Sequence, residues 1–277
     1  MIAIKTALIL CVTLCFATSC KKDVDMTLVQ KTVLENVDIH EIEAIDAWQV
    51  NIVADSSTFV VLEYSAYLEN NLKAKMEGTK LEIGFTSRIY PVVNSVYRAT
   101  VHTPQIKKIN AKDAVKVKCE GDFTGDDLEV ALNDASQCNG LVFSGQNCII
   151  KMEDASLLTG FHFVGITCNA VLEDASQFNG QIEVIDQLEI TLDDASRFVN
   201  KGGETALANI KVHNGSRLNI VETLVHEMHV EITDGSEATV WVDGLLEGSV
   251  RDASTIYYKG QPQLQVDCDD NSSLRPI

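Results

Sequence analysis

From Leu128 onward the chain alternates apolar and polar residues in a pattern that returns every twenty positions. One apolar column runs Leu128, Cys148, Cys168, Leu188, Ala208, Met228, Leu246 and Leu264. A second runs Val130, Ile150, Ala170, Ile190, Ile210, Val230, Gly248 and Val266, and a third Leu132, Met152, Leu172, Leu192, Val212, Ile232, Val250 and Cys268. The positions between are mostly polar, as at Asn133, Glu153, Glu173, Asp193, His213 and Thr233. Successive side chains of a strand point to opposite faces, so the pattern predicts strands with one buried face. Each strand runs into a small triplet: Asp134-Ala135-Ser136, Asp154-Ala155-Ser156, Asp174-Ala175-Ser176, Asp194-Ala195-Ser196, Asn214-Gly215-Ser216 and Asp234-Gly235-Ser236. Two steps of eighteen residues then reach Asp252-Ala253-Ser254 and Asp270-Asn271-Ser272. Four residues after the start of each triplet the core resumes, at Cys138, Leu158, Phe178, Phe198, Leu218, Ala238, Ile256 and Leu274.

A twenty-residue unit cannot bury its apolar face alone, but stacked copies form continuous internal ladders. The fold expected is all-β, a right-handed parallel β-helix (β-solenoid) with 20-residue coils over residues 110–277. The triplets then sit at corners. There Asp134, Asp154, Asp174, Asp194, Asp234 and Asp252 can accept a backbone N–H two residues on, in an Asx-turn. Ser136, Ser156, Ser176, Ser196, Ser236 and Ser254 can bond locally or to the next coil. These residues read as structural braces. A ladder of carboxylates also resembles a calcium site, but the glycine-rich repeat of calcium-binding β-rolls is absent, so calcium is not favoured.

Residues 31–109 lack the triplet period yet remain strand-rich, as in Trp48–Val53, Phe59–Tyr64 and Leu81–Phe85. They are expected to cap the first coil, whose edge would otherwise stand open. Ahead of them lie a leader, residues 1–19, and a tether, residues 20–30. Lys5 and an apolar run from Ala7 to Ala17 are too short for a membrane span and end in Ala17-Thr18-Ser19-Cys20. This resembles a bacterial lipobox, which implies acylation (palmitate among the chains) at Cys20. Lys21 and Lys22 follow, which by the same resemblance implies sorting to the outer membrane or cell surface.

The order His40-Glu41-Ile42-Glu43-Ala44-Ile45, the two strands above, Gly78-Thr79-Lys80-Leu81-Glu82-Ile83, Thr103-Pro104-Gln105-Ile106-Lys107-Lys108-Ile109 and then the coils resembles a known family. It is the putative auto-transporter adhesin head GIN domain of bacterial lipoproteins. The resemblance implies a β-helical fold at the cell surface and supplies no catalytic residue.

Charge and chemistry narrow the role. The formal charge is -18, with forty acidic and twenty-two basic residues, which argues against nucleic acid. Five cysteines follow Cys20 (Cys119, Cys138, Cys148, Cys168 and Cys268), and most fall in inward columns, where they act as small hydrophobes. A bridge between Cys148 and Cys168 stays open. His226-Glu227-Met228-His229 has the wrong spacing for a zinc HExxH helix. Glu153-Asp154, Glu173-Asp174 and Asp193-Asp194 place neighbouring acids on opposite faces, unlike a glycosidase pair. Trp241, Tyr257 and Tyr258 read as an end cap or a contact patch. Constant coil length leaves no long loop to build a cleft. The reading is a non-enzyme without cofactor or metal: a lipid-anchored adhesion or ligand-binding scaffold with a glycan or protein ligand. The alternatives are a self-assembling envelope module and a polysaccharide-active enzyme.

Overall fold

The computed structural model describes residues 24–277. The leader and Cys20 lie outside the described residues. The described residues are 64% strand and 2% helix, with parallel coils stacked into a β-solenoid of about 8 turns. The register follows the repeat: Leu128 pairs with Cys148, Cys148 with Cys168, Cys168 with Leu188, and so on to Leu246 with Leu264. Nearly every inward column residue from Leu128 to Val250 is buried. The exception is Gly248, whose φ of +130° carries the backbone so close to Val230 that a Cβ would meet its carbonyl oxygen at 1.9 Å.

Each coil has three sides. The third, not separated by the sequence pattern, carries Phe123, Phe143 and Phe163 in register. Phe178 stacks on Phe198 at 4.3 Å and meets Phe161 edge-on at 5.8 Å. Such buried aromatics contribute roughly 1.5–3 kcal/mol each. The five cysteines are free thiols. Burial pushes the Cys148 thiol well above its ordinary range, with neighbouring Cys168 adding to the effect.

The corners are two consecutive left-handed residues. Asp174 and Ala175 have φ of 53° and 60°, and the same pair of conformations recurs at Asp134-Ala135, Asp154-Ala155, Asp194-Ala195 and Asp252-Ala253. Asp and Asn tolerate this region best after glycine, and Gly215 and Gly235 take the second place in their coils. The second residue then donates its N–H to the next coil's corner carbonyl: Ala135 to Asp154 at 2.7 Å, Ala155 to Asp174 at 2.7 Å, Ala175 to Asp194 at 2.8 Å. Among the described residues no Asp of this repeat accepts the Asx-turn bond; their carboxylates are exposed, and backbone conformation, not side-chain bonding, selects the residue. The serines point inward and are buried.

Two further corners precede the regular triplets: Asp113-Ala114, a degenerate copy visible in the sequence, and Asp46-Ala47, which the sequence did not mark. Asp46-Ala47 and Asp113-Ala114 have the same paired conformation, and the bond ladder runs through them, from Ala47 to Asp113 and from Ala114 to Asp134. The N-terminal portion therefore closes the solenoid with coils of its own. It comprises β1 (Leu28–Val33), β2 (Glu41–Ala44), β3 (Gln49–Ala54), β4 (Phe59–Ser65), β5 (Leu72–Glu77), β6 (Lys80–Phe85) and β7 (Tyr97–Thr103). β8 (Lys108–Ala111) and β9 (Lys116–Glu120) follow. β2 lies between β6 and β8, and β3 between β7 and β9, all parallel. The coil made of β6 and β7 thus stacks outside the earlier coil made of β2 and β3. Antiparallel β5 closes β6, while β4 and then β1 close β7. β1 begins at Leu28, inside the stretch assigned to the tether. Trp48 is fully buried here, 5.6 Å from Phe85 and 5.9 Å from Tyr97.

The opposite end is open. The final strands, Gln263–Cys268 and Ser273–Pro276, pair on one side only. Leu264 is 43% exposed, Cys268 is exposed, and Val266 and Leu274 are partly buried, because inward columns are covered only when a further coil follows. Trp241, Tyr257 and Tyr258 do not cap this end. They lie in strands one or two coils earlier, and the Lys259 ammonium sits 3.6 Å over the Trp241 ring.

Candidate functional site

The outward columns of the sheet that carries the Leu128 to Leu264 ladder form a trough of about 560 Å³. One column presents Asn169, Glu189, Asn209, His229 and Glu247, and the next Val171, Thr191, Lys211 and Glu231. Strand alternation places them there: their neighbours Ala170, Ile190, Ile210 and Val230 fill the core. A smaller concavity of about 270 Å³ adjoins it, where Ile149 continues the Asn169 column and Asn147, Thr167 and Gln187 form the outward column beside it.

The polar groups are partly tied to one another. Asn169 donates to Glu189 at 3.1 Å, Gln187 to Glu189 at 2.8 Å and Asn147 to Asp127 at 2.8 Å, while Thr167 donates to Asn147 at 2.9 Å. His229 Nε2 lies 2.9 Å from Glu227 and 3.3 Å from Glu247. The Lys211 ammonium stands 4.0 Å from Glu231. Among the described residues, the Asn209 amide and the Thr191 hydroxyl make no side-chain hydrogen bond within the protein, so both can turn to a ligand. The trough offers donors and acceptors at a fixed spacing of about 4.8 Å per coil on a rigid sheet. That arrangement can hold an extended polar chain. It lacks the enclosure that would exclude water from a reaction.

The other sequence candidates lie elsewhere. Glu153, Glu173 and Asp193 stack along the exposed corner edge, and none of them lines the trough. Partial burial raises the Glu173 carboxyl, with Glu153, Asp174, Asp193 and Asp194 adding repulsion. His226 and His229 belong to separate clusters: His226 bridges Asp243 at 2.9 Å and Glu204 at 2.8 Å. Those carboxylates, Asp243 foremost, raise its pKa. Among the described residues no group of three or more His, Cys, Asp or Glu is placed to hold a metal ion. The sequence columns did not mark the trough, because outward positions vary from coil to coil; only their shared offset from the triplets could have located it.

Residues 38–262 match the model of the family described as "Putative auto-transporter adhesin, head GIN domain". The chain belongs to this family. Solved structures with the same fold include a putative adhesin from Parabacteroides merdae, 14% identical, covering 92% of this chain and 98% of that one with a TM-score of 0.67. A putative lipid binding protein from Parabacteroides distasonis is 15% identical, covers 90% and 96%, and has a TM-score of 0.64. A putative adhesin from the same species is 16% identical, covers 91% and 98%, and has a TM-score of 0.58. None of the curated proteins matches the chain. The GIN-domain match spans every coil that lines the trough. No helix among the described residues is long and apolar enough to cross a membrane.

Proposed function

We propose that this GIN-domain chain is a lipid-anchored, non-catalytic scaffold of the cell surface that binds a linear polyhydroxylated ligand along the outward trough. The carrying observation is the pair of mostly polar outward columns from Asn169 to Glu247, including the Asn209 and Thr191 groups left without side-chain partners. Family membership and the adhesin names of its structural relatives support a binding role. The acyl anchor is assigned to Cys20, and the outer membrane to the site of anchoring. A glycan array probed with the exported chain tests the reading. Binding to neutral oligosaccharides that falls at least tenfold in Asn209→Ala/Thr191→Ala supports it. Unchanged binding in that variant places the ligand elsewhere, and turnover of a bound glycan overturns the non-catalytic assignment.

A second reading, a self-assembling envelope module, is favoured by the open end, where Leu264, Cys268 and an unpaired strand edge face solvent. Sedimentation over a range of concentrations decides it: association lost in Leu264→Lys supports stacking, and a monomer at all concentrations removes it.

A further inference from the structure

Every corner from Asp113-Ala114 to Asp252-Ala253 turns on two left-handed residues, and the β2–β3 coil does so at Asp46-Ala47. The β6–β7 coil instead spends the segment 86–96 there. The segment reads Thr-Ser-Arg-Ile-Tyr-Pro-Val-Val-Asn-Ser-Val. Tyr90 is 80% exposed, Val93 82% and Val92 45%, and the Arg88 guanidinium lies 5.6 Å from the Tyr90 ring centre. An aromatic, two valines and a proline held in water have no folding reason to be apolar.

This loop is fastened. The Tyr67 hydroxyl accepts the Val92 N–H at 2.9 Å and bonds to the Ser95 hydroxyl. The Ser95 N–H closes the turn on the Val92 carbonyl at 3.0 Å. The same Tyr67 holds the entering chain, donating its N–H to the Asp25 carbonyl at 3.0 Å, while Ala66 donates to Thr27 at 2.8 Å. Met26 and Leu28, 38% and 53% exposed, stand at this entry. Cys20 precedes Asp25 by five residues in the sequence.

Charge is distributed to match. Residues 110–277 carry 11 basic and 28 acidic groups, whereas residues 24–109 carry 8 and 11, with Lys21 and Lys22 just ahead. An anionic bilayer surface repels the regular coils and tolerates the N-terminal end.

We propose that the loop 86–96, with Met26 and Leu28, is a membrane-seating surface. Tyr90, Pro91, Val92 and Val93 enter the interface of the bilayer that holds the Cys20 acyl chain, and the open end of the solenoid points away from it. Tyr90 and Arg88 suit the headgroup level, and the valines the acyl boundary. This inference rests on the anchoring reading, and its test separates the two.

The full acylated chain, carrying Cys268→Ser and a polarity-sensitive fluorophore at Val93→Cys, is reconstituted on vesicles of phosphatidylcholine with phosphatidylglycerol. A parallel sample carries the label at Ile185→Cys, an apolar residue of the coil flank that is 73% exposed. The inference expects blue-shifted emission and quenching by lipid-borne quenchers at 93 only. Vesicle-bound protein with label 93 still in water overturns it while leaving the anchor intact, and quenching at both positions overturns it in favour of a chain lying on its side. Failure of the chain to carry an acyl group removes the anchoring reading alone. The Cys20→Ala chain then decides the loop: weak partitioning that drops roughly tenfold in Tyr90→Ser/Val93→Ser supports it, and no partitioning overturns it.

Discussion

The regular coils and the N-terminal region share one cross-section, yet they hold it by different means. From Asp113 to Ser254 each coil follows its predecessor in sequence, turns on two left-handed residues and repeats its core residue types. Before that, the coil nearest the N-terminal end, β6–β7, comes later in sequence than the coil it covers, and antiparallel strands close it. The regular region spends its residues on ladders and ends open. The irregular region spends its residues on a closed end, with Trp48, Tyr64 and Phe85 packed where an exposed coil would otherwise be. Closing a solenoid thus requires breaking its repeat.

The strongest way to break that comparison is to remove core volume at its two extremes. Phe178→Ala empties a site between stacked rings and is expected to cost about 3–5 kcal/mol, read as a fall in the urea midpoint. Leu264→Ala occupies the same kind of inward column at the open end, where the residue is already 43% exposed. Its expected cost is below about 1 kcal/mol. Equal losses at the two positions mean that the last coil is covered in solution by something else.

Next in size is the corner. Asp174→Val forces a β-branched residue to a φ of 53°, with an expected cost of about 1–3 kcal/mol, whereas Asp174→Asn is expected to be nearly neutral. A large loss in Asp174→Asn would restore a bonding role for the carboxylate. The serine column offers a finer contrast. The Ser196 N–H donates to the Ser216 hydroxyl at 3.1 Å, and the Ser236 N–H to the Ser254 hydroxyl at 3.1 Å. The Ser176 hydroxyl is buried without a partner. Ser216→Ala should therefore cost about 1 kcal/mol and Ser176→Ala little or nothing, in the same denaturation measurement.

The parts of this architecture that could be read from residues are those that repeat. Leu188 or Ile190 is inward because its twenty-residue neighbours are apolar too, and Ser176 is placed by the triplet around it. Asp46-Ala47 escaped because Trp48 stands where later coils have serine, and because the next corner lies across a long excursion. Parallel pairing of β2 with β6 leaves no local signature in either strand. Leu264 and Cys268 continue the columns in sequence, but a column position is buried only when another coil lies beyond it. The trough was illegible for the complementary reason: Asn169, Glu189, Asn209 and His229 share an offset and no residue type.

The smallest effect separates the regions by charge, and it can be read with pH. Glu82, in β6, lies 2.6 Å from the Lys73 ammonium and 2.7 Å from that of Lys80, which hold its pKa at about 2. A carboxyl depressed in the folded state stabilises it above the ordinary carboxylate range near 4.5, and that contribution is lost as pH falls toward 2. Glu82→Gln should therefore lower the melting temperature at pH 7, with the deficit shrinking as pH falls through that window. Glu173 behaves oppositely, since burial and the stacked acids raise its pKa. A group raised in the folded state favours folding at low pH and loses that benefit as pH rises through its folded value. Glu173→Gln should thus raise the melting temperature at pH 7 by ~1 °C, and the gain should vanish below the ordinary carboxylate range. Melting curves of both variants from pH 7 downward should move in opposite directions relative to the parent chain. Shifts of the same sign would mean that the acidic coils are not under repulsion, and that their charge does not help hold them away from an anionic surface.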